Sequence, residues 1–216
     1  MSSETIPAQL TLSTQIVPPM LLAVATRLET AAMTRRSLLE AARALLDAGG
    51  PEAVTLREVG ARTGVSRSAP YRHFANKETL LTVLATSALS ELGDELERLA
   101  AGEDSPALSL RAALLSLVAV GRTRPHLYRL MFTTPTGDPA AAAAAVRAAE
   151  HTHDLFLDMV GRIVGRERAR HYGALLLACA HGMSGLESSG HLVWDKWQTN
   201  AEQLIDSMIA LLPTEK

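Results

Sequence analysis

The sequence predicts an all-α protein: an N-terminal three-helix helix-turn-helix domain followed by a larger helical domain, about nine helices in all. Three observations carry this. Ala and Leu dominate a chain of 216 residues in which aromatics make up only 4%, a balance that favours helix over strand. Apolar residues recur at spacings of three and four, with no alternating strand pattern and no internal repeat. Capping and breaking residues fall where such helices would begin and end.

Taken in order, residues 1–33 are the hardest to place. "SSETIPAQLTLSTQIVPP" is polar and Pro-containing without clear period, and reads as an arm; "MLLAVATRLETAAM" (20–33) is able to form one helix. From Thr34 the pattern sharpens. Leu38, Leu39, Ala42, Leu45 and Leu46 form an apolar stripe, which Gly49-Gly50-Pro51 stops. Thr55 and Glu58 fit a capping box for a second helix bearing Leu56 and Val59. Gly64 breaks that helix, Ser66 is placed to cap a third, and Asn76 a fourth that starts at Lys77 and runs to about Ala101. Further helices are expected over about 106–122, in a short piece after Pro125, from Asp138-Pro139 to near Gly165, over 166–188 and over 196–212. Three units follow: an arm (1–33), a helix-turn-helix domain (34–84) and a helical body (85–216).

The bulk numbers set boundaries on function. One cysteine, Cys179, excludes an internal disulfide and suits a reducing compartment. No apolar run reaches the ~20 residues of a membrane span. No basic segment precedes an apolar one at the N-terminus, so no secretory signal is expected. A cytoplasmic protein without membrane attachment is the expectation. Net charge is −2, yet it is unevenly spread: residues 34–84 hold eight basic and five acidic side chains. A basic module on an acidic body points to a localised polyanion contact.

"TGVSRSAPYRHF" (63–74) supplies that contact. Two short helices joined by a tight turn, the second with a polar outer face, make a helix-turn-helix pattern. Gly64 can take the left-handed conformation of the turn. Gly60 sits where the third helix passes closely. Val59, Val65 and Phe74 clamp the pair onto the first helix. Arg67, Ser68, Ala69, Tyr71, Arg72 and His73 remain outside, able to enter a major groove about 12 Å wide.

Residues 34–84 resemble the N-terminal domain of the tetracycline-repressor (TetR) family. Thr55, Val59, Gly60, Gly64-Val65-Ser66, Tyr71, His73-Phe74, Lys77 and Leu80 follow the family pattern in order and spacing. "HLYRLMF" (126–132) and "AHGMSGL" (180–186) more loosely resemble the regulatory domain of one subgroup. The resemblance implies phosphate contacts from Thr55, Tyr71, His73 and Lys77. Ser66 belongs to the same interface, Arg67 and Ser68 are candidates for base edges, and Arg72 suits either job. Two positions depart from the pattern. Gly60 stands where most members have Ala, and Pro70 where more have an aliphatic residue. With Ser66 as N-cap, Pro70 would fall at the fourth helical position and lose a backbone hydrogen bond. That feature alone favours a rival reading, a ligand-binding protein that has lost DNA binding.

For the body, the resemblance implies dimerisation and small-molecule sensing. A two-fold dimer reads two half-sites of double-stranded operator DNA. The expected interface lies in the last two helices: Gly173, Ala174, Ala178, Gly182 and Gly185, with Leu204, Ile205 and Met208. Candidate effector contacts are Leu117, Tyr128, Met131, Phe132, Phe156, Met159 and Cys179, suited to an apolar or amphipathic molecule. The expected function is a repressor released from a palindromic operator by that molecule. No cofactor and no metal are expected. His151, Asp154 and Asp158 share one helix face but lack a second ligand cluster. No phosphate loop or nucleophile motif suggests an enzyme.

Overall fold

The computed structural model describes the backbone of residues 19–214 and the side chains of residues 27–214. The chain is helical throughout this region, with ten helices among the described residues. Residues 1–18, the first part of the expected arm, lie outside it.

Helix α1 (Pro19–Ala53) begins fifteen residues before the expected Thr34. It breaks at Gly49–Gly50, where Gly50 takes φ 69°, and ends in the single turn 51–53. The ring of His126 fills the space beside Gly50, so a Cβ there would meet it at 2.8 Å. Helix α2 (Leu56–Thr63) is capped by Thr55, whose Oγ1 accepts from the Glu58 amide at 3.1 Å. Gly64, at φ 68°, closes it in the left-handed region. Helix α3 (Ala69–His73) follows, and Asn76 caps α4 (Lys77–Ala101) by accepting from the Thr79 amide at 2.8 Å.

The body comprises α5 (Pro106–Thr123), α6 (Pro125–Met131), α7 (Pro139–Val164), α8 (Arg166–Ser188), α9 (Trp194–Trp197) and α10 (Ala201–Ala210). Ser105 and Asp138 cap α5 and α7, each followed by a proline whose missing amide costs nothing at that position. The loop before α7 is tied to α4. Thr82 Oγ1 donates to the Thr136 carbonyl at 2.8 Å, and the Asp138 amide donates to Thr79 Oγ1 at 2.9 Å.

The single last helix expected over 196–212 is instead two. Gln198 takes φ 54° and ends α9, and Asn200 restarts the chain by accepting from the Gln203 amide at 2.9 Å. Trp194 and Trp197 on α9 are half exposed, and Trp197 Nε1 donates to the His191 carbonyl at 2.8 Å.

Two cores result. One joins Leu38, Leu46, Val54, Val59, Phe74, Leu80 and Leu84 of the N-terminal helices to Leu127 and Met131 of α6. The other joins Leu110, Leu114, Leu117, Phe156, Met159, Val160, Leu176 and Ile205 of the body. Helix α4 contributes to both through Leu84 and Leu96.

Candidate functional site

The outer face of the helix-turn-helix is built by one compensation. A helix capped at Ser66 would need the residue-70 amide as donor to the Ser66 carbonyl, and Pro70 has none. The chain corrects this by starting α3 later. The Ala69 amide donates to the Ser66 carbonyl at 2.9 Å, closing a turn, and Ser68 becomes the residue before the helix. Pro70 then lies in the first turn, where an amide would be unpaired anyway. Ser66 therefore does not cap α3, and Ser68 makes no side-chain cap either; their hydroxyls lie 3.4 Å apart.

The ring of Pro70 fills the space beside Gly60. A Cβ at Gly60 would sit 2.9 Å from Pro70 Cγ. The two departures from the family pattern are thus one packing solution, small opposite ring.

Outside this contact, Ser66, Arg67, Ser68, Tyr71 and Arg72 are exposed. Tyr71 is 59% exposed, unusual for so large a ring. His73 is half-buried, its ring 6.4 Å from that of Phe74. Thr55 is exposed at the start of α2. Lys77 reaches Glu52 at 3.4 Å, a solvent-exposed ion pair of the kind that contributes little and exchanges readily. Arg67 and Arg72 have no carboxylate partner among the described residues, so their charge faces outward.

The body holds a cavity of about 390 Å³ between α4, α5, α6, α7 and α8. Leu117, Met131, Phe132 and Phe156 line it, as do Leu92, Leu96, Leu114 and Leu177. Three expected lining residues do not. Met159 is buried in the body core, and Cys179 packs half-buried against that core. Tyr128 is buried with its hydroxyl 3.1 Å from His181 Nδ1 and its ring stacked on the imidazole. Burial pushes the Tyr128 phenol up, partly opposed by its hydrogen bond with Ser184. Leu92 and Leu96 of α4, Leu114 of α5 and Leu177 of α8 were missed because their spacing is that of any core stripe; helical period alone does not separate a cavity wall from a filled interior.

A second space of about 360 Å³ adjoins the first and shares Leu89, Met131, Ala149 and Glu150 with it. Neither wall contains Lys or Arg.

The residues expected at an interface between copies divide. Gly173 faces its own subunit, where a Cβ would lie 2.6 Å from Leu157 Cδ2, and Ile205 is fully buried. Both serve the subunit's own core. Ala174, Ala178, Gly182 and Gly185 are exposed on α8 beside Leu175 and Leu186, and Leu204 and Met208 are half-buried on α10. Among the described residues no cluster of three His, Cys, Asp or Glu could hold a metal; His151 pairs instead with Glu97 at 3.0 Å. No helix among them is long and apolar enough to cross a membrane.

Comparison with known proteins agrees with both halves of this geometry. The family model described as bacterial regulatory proteins, tetR family, matches residues 38–84. That described as tetracyclin repressor-like, C-terminal domain, matches residues 110–212. No curated protein matches the chain. Among solved structures, a Rhodococcus sp. RHA1 protein of unknown function is 27% identical, with a TM-score of 0.69 over 83% of this chain and 95% of its own. A TetR transcriptional regulator from the same organism is 23% identical, with a TM-score of 0.58 over 85% of this chain and 96% of its own. SmeT, in complex with triclosan, is 24% identical, with a TM-score of 0.54 over 82% of this chain and 90% of its own. With both family models matched in order over most of the described residues, the chain belongs to the tetR family of bacterial regulatory proteins and is a DNA-binding transcriptional regulator rather than an enzyme.

Proposed function

We propose that this regulator is a homodimeric, cytoplasmic repressor, released from a palindromic operator when a small apolar or amphipathic effector fills the body cavity. One observation carries the reading: α6 belongs to the cavity wall and to the DNA-domain core at once. Met131 lines the cavity and also packs in the cluster that holds Phe74 and Leu80. His126 and Arg124, at the other end of α6, seat against the break in α1. His126 fills the space at Gly50, and Arg124 lies 3.1 Å from Asp47. A ligand that displaces Met131 and Phe132 moves α6 against α1 and α4, and so turns the recognition face. Two half-sites held at fixed separation no longer match.

The interface between copies falls on α8 and α10. Gly182 and Gly185 have nothing of their own chain within 4 Å of where a Cβ would stand. The subunit's own packing gives no reason for glycine there, whereas a second helix approaching closely does. Leu175 and Leu186 are exposed on the same helix, and Leu211 at the end of α10 is 82% exposed.

The cavity wall, mostly apolar and with Glu150 but neither Lys nor Arg on it, favours a neutral or cationic effector over an anionic one. The fold relative SmeT, bound to triclosan, supports the small-molecule class. The test is selection of bound fragments from the source genome, followed by sedimentation of the protein with and without the recovered DNA. A palindromic site bound by two copies is the expected result. Retention without sequence preference, or a monomer on DNA, would remove the operator reading.

A further inference from the structure

The unusual start of α1 has a consequence at the DNA face. Between Pro19 and Thr34 the helix projects about 22 Å at 1.5 Å per residue, ahead of the first residue buried in the N-terminal core, Leu38. Leu28 and Met33 on this overhang are 67% and 69% exposed, so these two side chains lie outside the core.

One face of the overhang is nonetheless organised. Arg27, Thr30, Ala31 and Thr34 recur at helical spacing and form one wall of a groove of about 510 Å³. Arg72 and His73, the last two residues of α3, form the other wall. The lining therefore holds two guanidinium groups, an imidazole and two hydroxyl residues, and no carboxylate. Neither Arg27 nor Arg72 is ion-paired with a carboxylate of the described residues. Glu29 is the nearest acid in sequence, and its position, two residues on from Arg27, is rotated about 200° away around the helix. Arg72 and His73 of this groove lie within the residues that the tetR family model matches, and Arg72 is exposed next to the exposed Tyr71 in the sequence.

We propose that the α1 overhang and the C-terminal end of α3 together clasp the phosphodiester backbone of duplex DNA, with Arg27 as a phosphate contact outside the helix-turn-helix. The inference rests on DNA binding through the α3 face. The occupant follows from charge complementarity: a strand of phosphates is the anion that continues past the end of a helix lying in the major groove. Contacts of this kind position the protein and carry no sequence information.

The test uses the full chain and a mixed-sequence duplex, since the contact is independent of sequence. Affinity is measured against salt for wild type, Arg27→Ala and Arg27→Lys. Alanine is a strong helix former, so the overhang keeps its conformation in the variant, which circular dichroism checks. Arg27→Ala is expected to weaken binding about threefold or more at low salt and to reduce the slope of log affinity on log salt by about 0.9 for each bound subunit. Arg27→Lys should restore most of both. An unchanged slope in Arg27→Ala, with wild type binding normally, overturns the proposal and leaves the helix-turn-helix reading intact. Failure of wild type to retain duplex at low salt overturns both. Binding of inorganic phosphate to the free wild-type protein, lost in Arg27→Ala, together with an unchanged duplex slope in that variant, would mean that the groove takes free phosphate instead.

Discussion

At position 60 a methyl group decides the course of the neighbouring helix. Gly60 costs α2 about 1 kcal/mol of helix propensity relative to Ala, and it is retained against the ring of Pro70, 2.9 Å from where that methyl would sit. Gly60→Ala is therefore expected to destabilise the protein by about 1–2 kcal/mol through overpacking. In a Pro70→Ala background the same change should become neutral or stabilising. Urea unfolding of the four proteins measures the coupling, and simple additivity would count against the contact. Thr55→Ala should cost about 1 kcal/mol by removing the acceptor of the Glu58 amide. Caps of this sort were legible in the sequence because they are local: Thr55, Asn76 and Asp138 each act within three residues. Ser66 was not, because its role was settled by an amide that Pro70 lacks and by a ring that needed room on another helix.

The helices follow the same division. Most of their limits follow from period and punctuation, but the split of the last one into α9 and α10 does not, nor does which of two apolar faces turns inward. Helix α8 shows why. Gly173 and Ala174 are adjacent small residues; one packs on Leu157 and the other faces solvent. The direction depends on where α7 runs, which no local pattern records. The outward face leads to a clear expectation. Gly182→Leu should leave the isolated subunit intact, since nothing of its own chain stands within 4 Å of the new Cβ. It should shift sedimentation toward monomer and weaken operator binding. A variant that stays dimeric would move the interface elsewhere. Helix α10 is fastened to α5 by the bidentate pair of Arg111 and Asp206. Its hydrogen bond with Arg111 holds the Asp206 carboxyl below its ordinary value. This contribution is fully present above the usual carboxylate range and is lost as pH falls through the depressed value. The urea midpoint of wild type should exceed that of Asp206→Asn at neutral pH, and the gap should close in acid. As an exposed pair, it is expected to give a small gap.

Over the whole molecule, α4 and α6 join two cores that would otherwise be separate bodies. The all-helical fold and the family were legible in the sequence, yet not this join: Met131 was legible as a candidate effector contact, while its place in a second core beside Phe74 and Leu80 is a tertiary fact. The join makes cavity volume a regulatory quantity. Ala113→Leu, on the α5 wall, places extra side chain in existing space of about 390 Å³. It is expected to preserve folding and operator binding while reducing effector affinity, measured by titration calorimetry once an effector is found. Equal effector affinity in the variant would place the ligand elsewhere. The short helix α9 adds an optical property to this architecture. Its two tryptophans are the only ones in the chain, and both are half exposed on the segment that links α8 to α10. Excited at the indole band, the protein therefore emits from one place. Free subunits should emit at long wavelength, like indole in water, and coverage by a partner should shift the emission to the blue. The DNA-binding domain, holding no tryptophan, would remain dark to that light whatever it grips.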